Sequence, residues 1–503
     1  GTRLVVAVSA LLSLLVAGYG LTVLTQPWNP YLPLLWWVVF LLAVWSVLCD
    51  DVAMLPVAVA AGSFCAQTHV PYLGLVGGLG VVVIGVMALA WWRAGREAAG
   101  EGDAVSDQRR RIARWGIAGV VLGAALWVPP LVDQATNDPG NLRAIYDHLA
   151  SPAAGDEPVG FGRGVRLAVA HLDVSRLGAG APQADGELLD ASSDPDGSLL
   201  PGLMVLAVWA LAAAVAVRHG PRALVRLHAV VAAALVLGLV AMARILGKEW
   251  YYLMLWAWVV LALLVLAVGW SLLVVARARL GDANGRRRLT DGATAVLGAV
   301  AVASSAALVV AAVDVDPPEP HLSETLGEVV PDTVAALQRG EGAATGSDGT
   351  YVVMWDDAYY FGSPGYGLVS ELERAGLDAG TTATWHVPIT DHRVVDPGEA
   401  TAAVHLATGL YVEEWRDVPE AVEVAYVEPR DVEELAEFEE LHAAVIDDLR
   451  ANGLDDLVPR LDTNLFGLSI DERISDQAEE WTARMLVLGQ PTAVFVTPSD
   501  AAL

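Results

Sequence analysis

Before residue 314, polar positions are confined to short breaks between long apolar runs. Nine such runs fall near 4–24, 33–49, 52–67, 71–92, 115–132, 199–217, 227–245, 253–275 and 292–313. About 20 residues of helix cross the hydrocarbon layer of a bilayer, so the pattern predicts an α-helical polytopic membrane protein with about nine spans. The third run is short and contains Pro56, which predicts a kinked, tilted or re-entrant segment. No run carries a charged stripe along one helical face, so they read as spans and not as helices lying on a surface.

After Val313 the pattern changes. Residues 314–350 read as a linker that opens on the Pro-rich DVDPPEP, and residues 351–503 as a small α/β domain. Strands are expected at Tyr351–Trp355, Thr401–Leu406, Val422–Val427 and Thr492–Val496, with helices at Gly365–Ala375, Val432–Ala451 and Asp471–Leu488. Alternation of strand and helix is the signature of that class. The run EELAEFEE (433–440) reads as a solvated helix face, and no repeat of 20–50 residues is visible.

Charge sharpens the division. Residues 1–313 hold 21 Lys and Arg against 20 Asp and Glu, whereas residues 314–503 hold 9 against 39, which accounts for nearly all of the net charge of −29. So acidic a tail disfavours nucleic acid and anionic lipid and predicts a solvated domain. The basic residues of the first part cluster between spans four and five (Arg93, Arg96, Arg109, Arg110, Arg111, Arg114), six and seven (Arg218, Arg222, Arg226), and eight and nine (Arg277, Arg279, Arg286, Arg287, Arg288). The positive-inside rule places all three breaks in the cytoplasm. The 351–503 domain is then extracytoplasmic, on a multi-pass protein of the inner (plasma) membrane. The outward segments become Thr25–Pro33, Thr68–Pro71, the loop 133–198, the turn at Lys248 and the tail. Within the long loop, Asn141–Leu149 has helical periodicity suited to the membrane surface, and Gly178–Ser198 reads as a loop. The chain opens on Gly1 with an apolar run from Leu4 and no cleavage-site pattern, which predicts that the natural chain extends upstream.

Candidate chemistry is sparse. No P-loop, GxGxxG after a strand, HExxH, CxxC or GxSxG occurs, and Cys49 and Cys65 both lie within apolar runs, so neither a disulfide framework nor a zinc site is implied. What stands out is a set of polar and aromatic residues at the outer span ends: Gln67, His69 and Tyr72 in CAQTHVPYLG; Trp127, Pro129, Pro130 and Asp133 in WVPPLVDQ; Asn141 and Arg143; and Arg244, Lys248, Tyr251 and Tyr252. Lys248 is the only lysine, and it lies four residues after Arg244, on the same helical face if the helix continues that far. Two stacked cations beside Trp250, Tyr251 and Tyr252 would grip a phosphate whose lipid tail lies among the helices. The plainer reading is a snorkelling pair with an aromatic belt. Likewise, His69 alone suits a hydrogen-bonded helix end, and Pro129-Pro130 a helix stop. In the tail, Trp355-Asp356-Asp357 ends a strand in the manner of an Asp-rich turn, and His386, His392 and Arg393 stay unassigned.

WVPPLVDQATNDPGNLRAIYDHL, QTHVPY and RILGKEWYYLMLWAW, followed by YVVMWDD, GYGLVSELERAGLD and AVHLATGLY, resemble a group of large actinobacterial membrane proteins. These in turn are similar to GT-C type glycosyltransferases. The resemblance implies transfer of a sugar from a polyprenyl-phosphate donor, on the outer face of the membrane, to a cell-envelope glycan, lipid or protein, with inversion by direct displacement. Arg244 and Lys248 would then neutralise the departing phosphate. His69, Gln67 and Tyr251, with Tyr72 and Asn141 beside them, would orient the substrate, and the tail would hold the acceptor or a partner protein. No cofactor is implied, and a divalent cation stays open.

The chain departs from that pattern in one respect. GT-C enzymes carry an acidic general base in their first outer loop, and here that loop, TQPWNPYLP, has no Asp or Glu. Either the base lies in helices upstream of Gly1, or catalysis is lost. Asp133 is the fallback base within the chain. The alternative function is a non-catalytic membrane protein for envelope assembly or lipid binding. A transporter ranks third, because the spans offer almost no midplane charge.

Overall fold

The computed structural model describes all residues except 98–103, 152–156, 178–197, 248, 281, 316–318, 359–362, 472 and 500–503. The chain divides into two compact units, Gly1–Pro317 and Pro318–Leu503.

The first unit is helical. Its long elements are α1 (Thr2–Thr25), α2 (Pro33–Leu48), α3 (Leu55–Thr68), α4 (Pro71–Glu97), α5 (Ala104–Leu126), α6 (Val128–Thr136), α7 (Asn141–Ala150), α8 (Gly160–Ala170), α9 (Leu200–His219), α10 (Arg222–Ala243), α11 (Trp256–Arg279) and α12 (Ala283–Ala311). Among the described residues, seven helical stretches are long and apolar enough to cross a membrane: Thr2–Leu21, Pro71–Ala94, Asp107–Thr136, Leu200–His219, Arg222–Ala243, Trp256–Arg279 and Ala283–Ala311. The second and third apolar runs form shorter helices, α2 of 16 residues and α3 of 14. At ~1.5 Å per residue they reach roughly 24 and 21 Å, less than the ~30 Å of a hydrocarbon layer. Among the described residues, then, seven helical stretches have the length and apolar character of a span, where the apolar runs suggested nine.

The core of this unit is α11, whose residues Trp256–Leu264 are all buried. A helix that is apolar all round has no solvent face to keep, and belongs in the middle of a bundle. Tyr19 of α1 fixes its start, donating to the Leu255 carbonyl at 2.7 Å and stacking on Trp258 at 5.2 Å. At the far end of α2, Asp50 accepts from Arg226 at 2.7 Å, and Trp45 Nε1 donates to the Ala223 carbonyl at 2.8 Å. These contacts tie the α2–α3 turn to the start of α10. Helix α5 ends at Leu126, just before Pro129 and Pro130, and the two prolines lie in the first turn of α6, where a missing N–H leaves no bond unmade.

The second unit is built on one five-stranded sheet of order β2-β1-β3-β5-β4. The strands are β1 (Thr350–Asp356), β2 (Asp378–Gly380), β3 (Ala402–Thr408), β4 (Val422–Val427) and β5 (Thr492–Pro498). β2 and β3 run parallel to β1, while β5 is antiparallel to both β3 and β4. Alternate side chains point to opposite faces. Tyr351, Val353, Val404, Leu406, Val494 and Val496 pack on one face with α13 (Pro320–Arg339) and α14 (Ser363–Arg374). On the other face Ala407, Ala493 and Phe495 pack with Val412 of α15 (Tyr411–Arg416). A second cluster joins α16 (Val432–Ala451) to α17 (Asp476–Leu488) through Val445, Leu449 and Met485.

Three details differ from the sequence expectation. Residues 320–339, assigned to the linker, form α13 and bury Val329 and Leu337 in the sheet core. The last helix starts at Asp476 and not at Asp471, because Ser475 accepts from the Ala478 N–H and caps it there. The third is the edge strand β2, which the hydrophobic pattern did not mark.

Candidate functional site

Three breaks in the helical unit meet at one end of the bundle. Trp28 and Tyr31 come from the α1–α2 break, His69 from the α3–α4 turn, and Trp250, Tyr251 and Tyr252 from the segment after α10. Trp28 packs edge-on against Tyr31 at 5.0 Å and Tyr252 at 4.8 Å, and Trp250 stacks on Tyr252 at 5.9 Å. His69 lies 6.3 Å from Tyr252 and 6.1 Å from Tyr72, and Tyr72 meets Trp37 edge-on at 5.5 Å. The hydroxyls of Tyr31 and Tyr251 are hydrogen-bonded to each other.

Within this cluster, Trp37 Nε1, His69 Nε2 and Tyr72 Oη are buried and have no partner among the described residues. Trp37 is 0% exposed and Tyr72 1%. A buried polar group left unpaired costs about 1–3 kcal/mol, so three on touching rings call for a polar occupant. The indole N–H can only donate, so that occupant presents an oxygen acceptor. His69 ends α3 and hydrogen-bonds the Tyr252 main chain; burial pushes its pKa down to about 4, the Tyr252 bond opposing, so the ring is neutral at pH 7.

The cations are arranged differently from the sequence expectation. α10 ends at Ala243, and Arg244 caps it with φ −105° and ψ 6°. Ile245 and Leu246 turn aside: the Ile245 carbonyl accepts from Val159 N–H at 3.0 Å, and Leu246 bridges to Pro158. Gly247 then takes φ 65°, a left-handed conformation natural to glycine. The helix does not continue to residue 248, so Arg244 is not stacked on Lys248 along a helical face, and Lys248 itself lies outside the described residues. Arg244 is exposed and makes no ion pair among the described residues. Next in the turn, Glu249 is gripped by Arg163 of α8, whose Nε lies 2.7 and 3.0 Å from its two oxygens.

Asp133 is engaged on both sides. Its Oδ1 accepts from Asn137 Nδ2 at 2.7 Å, and its Oδ2 accepts from the Asn141 main-chain N–H at 2.8 Å. The carboxylate thereby closes the turn between α6 and α7, which is helix-capping geometry, and this arrangement gives no support to a role as general base. Asn141 contributes its backbone to that same turn. Gln67 donates to the Leu126 carbonyl at 3.1 Å, joining α3 to the end of α5. Of the sequence candidates, His69, Tyr72 and Tyr251 converge with Tyr252; Asp133, Asn141 and Gln67 serve helix ends. Sequence reasoning missed Trp28, Tyr31, Trp37 and Arg163. The aromatic content of TQPWNPYLP was a usable signal for the first two.

A cavity of about 850 Å³ lies elsewhere, between α1, α11 and α12. Arg3, Arg277, Thr290 and Thr294 are the polar groups on its apolar walls, and none leaves a buried atom unpaired. Volume alone therefore does not mark it as the site of chemistry. Among the described residues no group of three His, Cys, Asp or Glu side chains is placed to hold a metal ion. No protein-family model matches the chain, and neither a curated protein nor a solved structure does.

Proposed function

We propose that this membrane protein binds a polyprenyl-phosphate-linked sugar at the aromatic end of its helical unit and transfers the sugar to a cell-envelope acceptor. The observation that carries the reading is the trio of buried, unpaired polar atoms on Trp37, His69 and Tyr72. Two donors and a neutral imidazole suit the oxygens of a sugar or phosphate, and the surrounding rings suit the faces of a sugar or the first isoprene unit. Arg244 at the end of α10 supplies a cation without a competing carboxylate. In this reading the breaks carrying His69 and Tyr252 face outward and the Arg-rich breaks face the cytoplasm, as the positive-inside rule requires; α2 and α3 complete nine spans by tilting or thinning the bilayer locally. The acidic unit 318–503 stands outside, toward the acceptor. The general base is then supplied from outside the residues described.

One observation favours a second reading, lipid binding for envelope assembly without transfer. Asp133, the fallback base on this chain, has both oxygens engaged in a helix cap. Purified full-length protein given a radiolabelled polyprenyl-phosphate sugar separates the two. Consumption of donor that is lost in Trp37→Phe, Tyr72→Phe and Arg244→Ala, with the fold retained, supports transfer. Saturable donor binding without consumption supports the second reading, and no donor binding by the native protein sinks both.

A further inference from the structure

The cavity of about 850 Å³ between α1, α11 and α12 rests on none of the residues of the aromatic cluster. It lies toward the other end of the same helices. α1 starts beside it and ends at the break that carries Trp28 and Tyr31, while α11 starts after Tyr252 and runs down to Arg277 in the cavity wall. Helix α12 forms the outer side. Of its described residues Thr290 alone is buried, and its polar ties are to α1: Arg3 pairs with Asp291 at 2.7 Å, and the Ser13 and Ser304 hydroxyls lie 2.7 Å apart. A span held to one neighbour in this way leaves a cleft toward the other, α11.

The walls and the mouth of the cleft differ in kind. Leu4, Leu11, Leu266, Leu273 and Leu297 are among the apolar lining residues, and no Asp or Glu lines the cleft. Its charged side chains are Arg3 and Arg277. Both belong to one end, because only residues 280–282 separate α11 from α12 and Arg3 reaches Asp291 near the start of α12. Asp291 faces two cations, Arg3 at 2.7 Å and Arg287 at 3.5 Å. Arg277 is exposed and makes no ion pair among the described residues. Three guanidiniums against one carboxylate give these side chains a net charge of +2.

An apolar cleft that ends on unbalanced cations is complementary to an amphiphile with an anionic head. Its volume lies within the range of ligand sites, roughly 300–1,000 Å³. A further apolar helix laid in the cleft would fill the walls and leave the arginines without counter-charge. Apolar groups already in lipid gain little by exchanging one hydrocarbon neighbour for another, so the head group has to supply the selectivity, and a guanidinium is the side chain best matched to phosphate. We propose that this cleft binds one phospholipid with an anionic head group, its acyl chains between α11 and α12 and its phosphate against Arg277 and Arg3.

The test titrates full-length protein in detergent with phosphatidylglycerol and, separately, with phosphatidylcholine of the same chain length, and reads bound lipid by native mass spectrometry. One phosphatidylglycerol adduct is expected, at least tenfold tighter than the phosphatidylcholine adduct. Arg277→Ala should bring that preference below about threefold, and Arg218→Ala, which removes an exposed arginine at the end of α9, should leave it unchanged. Gly269 lines the cleft, and a Cβ there would meet nothing within 4 Å. Gly269→Phe therefore fills the space without a clash and should remove the adduct while the melting temperature holds. Equal binding of the two lipids, or a preference that survives both Arg277→Ala and Gly269→Phe, overturns the proposal and leaves only the lipid that surrounds any span. Absence of an adduct on the native protein also overturns it and assigns the cleft to a protein segment.

Discussion

Arg163 Nε lies 2.7 and 3.0 Å from the two oxygens of Glu249, locking α8 onto the turn that leaves α10. Both side chains are partly buried, at 31% and 19% exposure, so the pair is worth more than a surface ion pair and less than a fully buried one. Arg163→Ala strands the Glu249 charge and should lower stability by about 2 kcal/mol. The double variant Arg163→Met with Glu249→Met should recover most of that, since no charge is left unpaired. Thermal unfolding of the three proteins in one detergent checks the order; equal loss in single and double variants would contradict it.

Asp133 gives a cleaner discrimination between structure and chemistry. As a cap it should cost about 1 kcal/mol when replaced by Ala, with faster hydrogen exchange confined to α7 and donor binding unchanged. Asp133→Asn retains one acceptor oxygen and should restore part of the protection. A residue acting as base would behave otherwise, losing turnover in both variants while exchange in α7 stayed slow.

The division of the chain and most of its elements could be read from sequence because hydropathy and charge both change near residue 314. Strand pattern and helix period were plain in YVVMWDD and in Val432–Ala451, where local preference and tertiary burial agree. Three things were hidden for physical reasons. The Arg163–Glu249 pair joins residues 86 apart, and nothing local to either announces the other. The end of α10 is set by the strand-like pairing of residues 245–246 with 158–159, a tertiary contact that overrides the helical spacing of Arg244 and Lys248. Helix α13 was hidden by Pro320, which sits in its first turn where proline is compatible with helix, and by Pro331 in its interior, which the helix tolerates.

Gly164 lies in α8 where it crosses the end of α10. A Cβ at this position would come within 2.8 Å of the Ala243 backbone, which cannot move aside as a flexible side chain could. Gly164→Ala should therefore cost about 1–3 kcal/mol by overpacking, and it should loosen the same turn that Arg163 holds. Faster exchange at residues 244–252 in Gly164→Ala, matching that in Arg163→Ala, is the expected result. An unaltered turn would show that α8 can shift to make room.

His405 sits in the middle of β3, 1% exposed, its ring stacked on Trp415 at 3.9 Å and its Nε2 unpaired among the described residues. Burial pushes its pKa down to about 4, with the Asp356 charge opposing. The unfolded chain holds this proton near pH 6.5, so between the two values the unfolded state binds more protons than the folded one. Stability from the neutral buried ring is then complete above pH 6.5 and is lost as pH falls toward 4, by at most about 3 kcal/mol. His405→Phe keeps the stacking and removes the titration. Hydrogen exchange of residues 402–408 in the full-length protein, followed from pH 7 to 4 and corrected for intrinsic rates, should show protection falling in the native chain and a shallower fall in the variant. Parallel curves would assign the acid sensitivity of this sheet to its carboxylates instead.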